Sequence, residues 1–376
     1  MRVGVASVYS PGVRGGAEFL ADGLCNALQR AGHCVHRIIH PFSYASIADA
    51  VRSMDVWESQ DLAPYQGGGI DLMIGLKWPA YLIGHPVATA WLLHQHRPAY
   101  DLFGTPFGFS AHDPAALALR ARIEAADANA FARMRAVFTI SQRVSDRLAA
   151  SLGKTSTPLY HPPDSADQFW NAPSAPFILV PSRLESLKRQ DLLLDGLAQC
   201  RQAVNAVIVG EGGMRSELME RAEKLGLTDR VKFVGSVSRH HLISLYAHAT
   251  GVFFGPRDED YGYVTLEAML AGKPVITCSD AGGPLEFVVD GETGFVTTPR
   301  AEAVADAIEK LFADPRRAVD MGRAGRLRYD DLITSWDEVV DRLTRAGAAS
   351  PSYASGAAGE EPGAPSQRAA TDRIAQ

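Results

Sequence analysis

Twice along the chain a short apolar run passes through a turn-rich loop into a stretch of helical spacing and then into a second apolar run. The first instance is 2–8, the loop 9–16, the helical stretch 17–30 and a strand-like run at 34–39. The second is 177–180, a polar loop, 190–199 and 206–209. A strand, a crossover helix and a returning strand close as a parallel pair, since only a parallel connection needs so long a return path. The alternation continues through strand-like runs at 72–75, 87–93 and 136–140, with a helix over 113–135, and in the later half through 231–234, 251–254 and 275–278. The fold class is therefore α/β, with two Rossmann-like, doubly wound domains.

The boundary falls where the alternation is broken. Tyr160-His161-Pro162-Pro163-Asp164 disfavours a helix and favours an extended segment, because each proline fixes its own φ and restricts the residue before it. A chain of 376 residues also exceeds what a single core usually organises. The expected division is an N-terminal domain over 1–165, a C-terminal domain over 166–330, a final helix within 331–345 and a disordered tail over 346–376. The final helix is placed at 332–343 by apolar Leu332, Ile333, Trp336, Val339, Val340 and Leu343. The tail is rich in Ala, Gly, Ser and Pro.

Net charge is −6 and the pI near 6.0, which argues against a nucleic-acid partner bound through a basic surface. The first residues are too short a run for a signal-peptide core and no stretch reaches membrane-spanning length. A soluble cytoplasmic protein is expected, with at most weak peripheral membrane contact. Arg120, Arg122, Arg133 and Arg135 read as a solvated helix face rather than a membrane patch. Cys25, Cys34, Cys200 and Cys278 lack metal-ligand spacing and read as reduced, buried small residues. His112, His161, His240 and His241 read as loop or surface residues.

The stretch 256–286, PRDEDYGYVTLEAMLAGKPVITCSDAGGPLE, carries the chemistry. Glu259 and Glu267 stand eight positions apart, one in a loop after a strand and the other about one turn inside the following helix, so both can face one cleft. Gly282 and Gly283 then open another helix whose N–H groups and dipole suit a phosphate. Carboxylates accept from vicinal hydroxyls and bare N–H groups bind diphosphate, and a nucleotide-sugar presents both kinds of group.

This Glu-x7-Glu pair, followed by Gly-Lys-Pro-Val and Gly-Gly-x-x-Glu, resembles the signature of the retaining glycosyltransferases of family 4, which implies the GT-B fold: two Rossmann-like domains facing a cleft, acceptor side first and donor side second. The resemblance extends to Arg183 and Lys188, spaced as the family's Arg-x4-Lys, where the cations would stabilise the departing diphosphate. The resemblance also implies that Gly210 and Gly212 form the loop near the nucleobase with Lys232 and Phe233 beside the base, that Glu267 binds the ribose and that Glu259 binds the transferred sugar. Separately, Gly15 and Gly16, in the loop after the first strand, let the backbone approach a diphosphate with no Cβ in the way. Arg189 has no matching position. Glu286 reads as a helix N-terminal charge. As a dinucleotide fingerprint the 210–215 loop fails, since it lacks both the third glycine and the ribose-binding acid.

Family members place a histidine at the end of a first-domain strand. His94 is the first choice for contact with the donor sugar or its phosphate, His96 the second. Lys77 falls near where some relatives carry a histidine, a departure from the pattern. The resemblance further implies that the last helix crosses back to the first domain. Asp258-Glu259-Asp260 could hold a divalent ion against a diphosphate, but it overlaps the glutamate motif and reads as loop charge, so no metal and no cofactor are expected. The reaction implied is hexosyl transfer from a GDP- or UDP-linked sugar to a saccharide or lipid-linked saccharide, with retention, in cell-surface polysaccharide or glycolipid synthesis. The competing readings are a doubly wound nucleotide-dependent oxidoreductase and a catalytically silent GT-B binding protein.

Overall fold

The computed structural model describes residues 1–348 apart from 11, 13, 14, 44, 45, 61 and 63–68. Most of the tail expected to be disordered thus lies outside the described residues, as does part of the loop before Gly15. The first sheet is built from β1 (Arg2–Tyr9), β2 (Cys34–Pro41), β3 (Leu72–Gly75), β4 (Ala88–Leu92), β5 (Ala136–Thr139) and β6 (Thr157–Pro158). Its order is β2-β1-β3-β4-β5-β6, and every neighbouring pair is parallel. The second contains β7 (Phe177–Pro181), β8 (Asn205–Val209), β9 (Val231–Gly235), β10 (Gly251–Phe253), β11 (Val275–Cys278) and β12 (Gly294–Thr297). Its order is β12-β11-β10-β7-β8-β9, again all parallel. β3, β4 and β11 are buried along their whole length, as parallel strands covered on both faces must be.

α1 (Gly16–Arg30), α2 (Ile47–Glu58), α3 (Pro114–Arg133) and α4 (Gln142–Leu152) belong to the first domain. The second carries α5 (Gln190–Gln199), α6 (Arg215–Lys224), α7 (Arg239–His248), α8 (Tyr263–Leu270), the single-turn α9 (Pro284–Phe287), α10 (Ala301–Ala313) and α11 (Pro315–Leu332). One apolar core runs from the first sheet into the inward face of the second, and another fills the outward face between the sheet, α5, α6 and α10. In each sheet the strand order reverses once, between β1 and β3 and between β7 and β10. Such a switch point opens a crevice at the carboxyl ends of the strands, where ligands bind in open α/β sheets.

The apolar pattern read as one helix over 332–343 is two elements. α11 ends at Leu332, and α12 runs Trp336–Ala348. Between them the Thr334 hydroxyl donates to the Tyr160 carbonyl at 2.6 Å, and Ser335 Oγ accepts from the Glu338 amide at 3.2 Å. A serine cap competes with helix continuation, so the spacing misplaced the start. α12 lies on the first domain. Its Trp336 fills the space beside Gly23, where a Cβ would fall 2.4 Å from the indole, and Arg135 Nη1 donates to the Gly347 carbonyl at 2.6 Å. Arg122 pairs with Asp55 and Glu58 of α2, so the arginine group is partly structural rather than only a solvated face.

Cys25 and Cys278 are buried, but Cys34 is exposed. It opens β2, the edge strand of the first sheet among the described residues. Among the described residues no helix is long and apolar enough to cross a membrane.

Candidate active site

The loops after β7 and β10 flank the second-domain switch point, and they bring Lys188 and Glu259 together: Lys188 Nζ donates to Glu259 Oε2. The ammonium also lies 5.6 Å over the Phe254 ring. Arg189 is what joins these loops. In the left-handed region at φ 53°, it donates to the carbonyls of Gly255 at 2.7 Å and Pro256 at 2.6 Å and forks onto the Asp280 carboxylate. The Arg257 amide completes the seam by donating to the Leu187 carbonyl at 2.8 Å.

Glu259 itself is pinned through its backbone, which donates to Ala281 O at 2.7 Å and accepts from the Gly283 amide at 2.8 Å. The glycine pair exists for this contact. At Gly282, φ +77°, a Cβ would lie 2.5 Å from Glu259 O, and at Gly283 it would lie 2.8 Å from the carbonyls of Asp260 and Tyr261. The phosphate-binding helix expected after Gly282 and Gly283 is therefore corrected. α9 is one turn long, its first residue, Pro284, has no N–H, and the Gly283 amide is already taken.

Gly210 and Gly212 have a similar explanation. A Cβ at either would meet a carbonyl oxygen of the loop after β7, Ser182 at 2.2 Å or Leu184 at 2.3 Å. Glycine lets two neighbouring loops touch there. Phe233 packs against the outward core. Arg183 is exposed on the loop after β7, with its nearest carboxylate, Glu185, at 4.0 Å.

Glu267 is almost buried and stands apart from the Lys188–Glu259 contact. Arg239 Nη1 donates to its Oε1 at 2.6 Å, and the Tyr246 hydroxyl to its Oε2 at 2.7 Å. Neither partner was singled out from sequence. Tyr246 follows the helical spacing of a core residue and gives no other signal.

On the facing domain, His94 lies just beyond β4. Its Nδ1 donates to the Gln95 carbonyl at 2.6 Å, leaving Nε2 as an acceptor. Burial pushes the imidazole down to about 4, against the pull of Asp260 and with Lys77 adding to the depression, so it is neutral at pH 7. His94 lines a cavity of about 250 Å³ with Arg97, Tyr100, Arg120, Arg147 and Ser151. His96 does not share this environment. It lies tilted on Trp78, ring centroids 4.1 Å apart, with Phe109 at 5.4 Å, and serves the aromatic core. Gly15 is the N-cap of α1, and a Cβ there would meet nothing nearer than Glu18 at 3.9 Å. At Gly16 a Cβ would come within 3.0 Å of the Tyr263 ring, so this glycine admits a contact between the domains.

Asp258 and Asp260 are more than loop charge. Asp258 pairs with Arg143 at 2.7 Å, Arg147 at 2.8 Å and Arg97 at 3.2 Å. Asp260 pairs with Arg147 and lies 3.5 Å from Arg97. The two arginines hold Asp260 well below the usual carboxylate range despite its burial. Both aspartates thus face first-domain cations. Glu286 is a helix N-terminal charge, but for the other domain. Its carboxylate accepts from the Gln142 amide at 2.9 Å and the Arg143 amide at 2.8 Å, in the first turn of α4.

His161 is also corrected. It is fully buried, stacked on Tyr261 at 4.5 Å, edge-on to Trp91 at 4.9 Å and hydrogen-bonded through Nε2 to the Tyr263 hydroxyl at 2.5 Å. Proline neighbours place it in the connecting segment, yet that segment threads between the domains rather than over the surface.

Two parallel six-stranded sheets facing a cleft, with a last helix returning to the first domain, define the GT-B fold. Residues 165–328, the stretch that holds Lys188, Glu259 and Glu267, match the family model described as glycosyl transferases group 1. Over 232 residues the chain is 33% identical to the GDP-mannose-dependent alpha-(1-6)-phosphatidylinositol monomannoside mannosyltransferase of Mycobacterium tuberculosis, covering 54% of this chain and 59% of that protein. It is 37% identical over 118 residues to the alpha-1,3/1,6-mannosyltransferase ALG2 of Dictyostelium discoideum, covering 31% and 28% respectively. The chain thus spans less than two thirds of the length of each of these relatives. The crystal structure of Anabaena HepE in complex with UDP and glucose superimposes with a TM-score of 0.69 at 20% identity, over 93% of this chain and 99% of that one.

Proposed function

We propose that the chain is a retaining family 4 glycosyltransferase that moves a hexosyl group from a nucleoside diphosphate sugar to an acceptor hydroxyl without a divalent metal. The contact between Lys188 and Glu259 at the second-domain switch point carries this reading. A lysine has three donors, so Lys188 can hold Glu259 with one and diphosphate oxygens with the others. Arg183, exposed on the same loop, adds a fork for the phosphate. Glu259, fixed through its backbone, accepts from hydroxyls of the transferred sugar. In the reaction the anomeric C–O bond to phosphate breaks as the bond to the acceptor oxygen forms on the same face, and the acceptor's proton passes to the departing phosphate oxygen. Positioning and charge stabilisation supply the rate. His94, neutral with Nε2 open as an acceptor, serves a sugar hydroxyl.

The mannosyltransferase likeness makes GDP-mannose the first donor to try and a saccharide or glycolipid the acceptor class, reached by peripheral contact with a membrane. The test is release of nucleoside diphosphate from GDP-mannose and UDP-glucose by purified protein, with and without chelator, followed by assignment of the product's anomeric configuration by NMR. Release that survives chelator, falls in Lys188→Ala and Glu259→Ala, and yields the donor's configuration supports the proposal. No release from any donor sinks it, and loss of release in chelator overturns metal independence.

A further inference from the structure

Both partners of Glu267 come from one helix. Arg239 and Tyr246 are seven positions apart on α7, about two turns, so they present on one face. Neither is isolated. Arg239 also donates through Nη2 to the Asp164 carbonyl, its Nε lies 3.9 Å from the Asp164 carboxylate and its guanidinium sits 5.1 Å over the Phe169 ring. Phe169 in turn meets the Tyr246 ring edge-on at 5.7 Å. Asp164 and Phe169 both precede β7, on the segment that enters the second domain.

We infer that Arg239 and Tyr246 are positioning residues for Glu267, and that through Arg239 and Phe169 the interdomain segment sets the orientation of that carboxylate toward the donor's ribose. This rests on the proposed glycosyltransferase reading, in which Glu267 accepts from ribose hydroxyls. A carboxylate offers about four lone-pair sites, and Arg239 and Tyr246 use one on each oxygen. One site per oxygen stays open, side by side, which suits a vicinal diol. The Glu267 side chain is only 11% exposed, so the opening is narrow, and a small rotation of the carboxylate plane would hide one oxygen. Two donors gripping opposite oxygens fix that plane. The arrangement also means that movement of the segment at 164–169 reaches the ribose contact directly.

The experiment is calorimetric titration of the full chain with GDP and UDP and with their 2′-deoxy forms. The readout is the ratio of affinities for the ribose and deoxyribose diphosphates, which isolates the hydroxyl contact from general stability. Glu267→Ala is expected to abolish the preference for ribose. Tyr246→Phe, which keeps the ring, and Arg239→Lys are each expected to lower the ratio by about 3- to 10-fold with melting temperatures near wild type, and Phe169→Leu to lower it by less. If neither diphosphate binds, or Glu267→Ala keeps the preference, the glycosyltransferase reading of Glu267 fails. If Glu267→Ala loses it while Tyr246→Phe and Arg239→Lys keep the wild-type ratio, the positioning role fails. An unchanged ratio in Phe169→Leu alone removes the link to the interdomain segment.

Discussion

Asp258 of the second domain and Arg143 of the first meet at 2.7 Å, one strand of a clasp that also ties Arg97 and Arg147 to Asp258 and Asp260. Arg97 and Arg147 are mostly buried, so the clasp is poorly screened by salt. Removing one partner leaves charge without compensation in a low-dielectric seam. Asp260→Asn is therefore expected to lower stability by about 3–5 kcal/mol, measured by urea unfolding. A wild-type midpoint would mean the clasp does not hold the domains.

Glu259 and Glu267 are expected to separate kinetically. Glu259→Ala should lower kcat by about 10²–10³ with a smaller change in donor affinity, whereas Glu267→Ala should chiefly raise the donor KM. Steady-state kinetics with a turned-over donor decides this, and equal, negligible effects would refute both roles.

Among the glycines read as site residues, Gly16, Gly210, Gly212, Gly282 and Gly283 serve the fold and Gly15 leaves room for a Cβ. Gly282→Ala forces a Cβ to within 2.5 Å of a carbonyl oxygen at φ +77° and is expected to destabilise by about 2–4 kcal/mol. Gly15→Ala meets nothing closer than 3.9 Å and should melt with wild type. If Gly15 borders the diphosphate, the same variant loses nucleotide affinity despite its unchanged melting temperature, as thermal shift with GDP and UDP would report.

A pH dependence follows from Asp127, fully buried on α3. Burial raises this carboxyl to about 7, opposed by hydrogen bonds such as that from the Tyr100 hydroxyl at 2.8 Å. Unfolded, it ionises near 3.9, so between roughly pH 4 and 7 the native protein holds a proton that the unfolded chain has lost. The stability due to the neutral form is complete below about pH 4 and is lost as pH rises through 7. Asp127→Asn keeps the neutral shape. It should match wild type near pH 4 and exceed it at pH 8 by about 2–4 kcal/mol, the buried histidines cancelling in the comparison. Parallel pH curves of urea midpoint would disprove this.

The sheets were legible because parallel strands and crossover helices leave periodic apolar patterns; Lys188 and Glu259 stood out only through motif spacing, and they meet because strand-end loops collect at a switch point. What escaped was tertiary. Nothing local to Arg239 or Tyr246 reveals the carboxylate they grip, and the charges of Asp258 and Asp260 look the same whether they meet solvent, a metal or three arginines. His161 was correctly placed beside two prolines and wrongly judged exposed, since proline reports backbone shape and not what packs on it. Gly15 and Gly16 read as a close approach to diphosphate, Gly210 and Gly212 as a loop near the nucleobase and Gly282 and Gly283 as a helix opening, but sequence does not say whether the group beside a glycine is a ligand or the chain's own backbone. The split between α11 and α12 was hidden because apolar spacing continues across it.

Ser141 caps α4 within its own domain by taking the Val144 amide, and Glu286 adds an acceptor from the opposite domain for the amides of Gln142 and Arg143. Whenever the cleft widens, the Gln142 and Arg143 amides lose their acceptor and meet water instead. Their hydrogen exchange is thus a built-in gauge of how far apart the two halves stand, readable without attaching any probe.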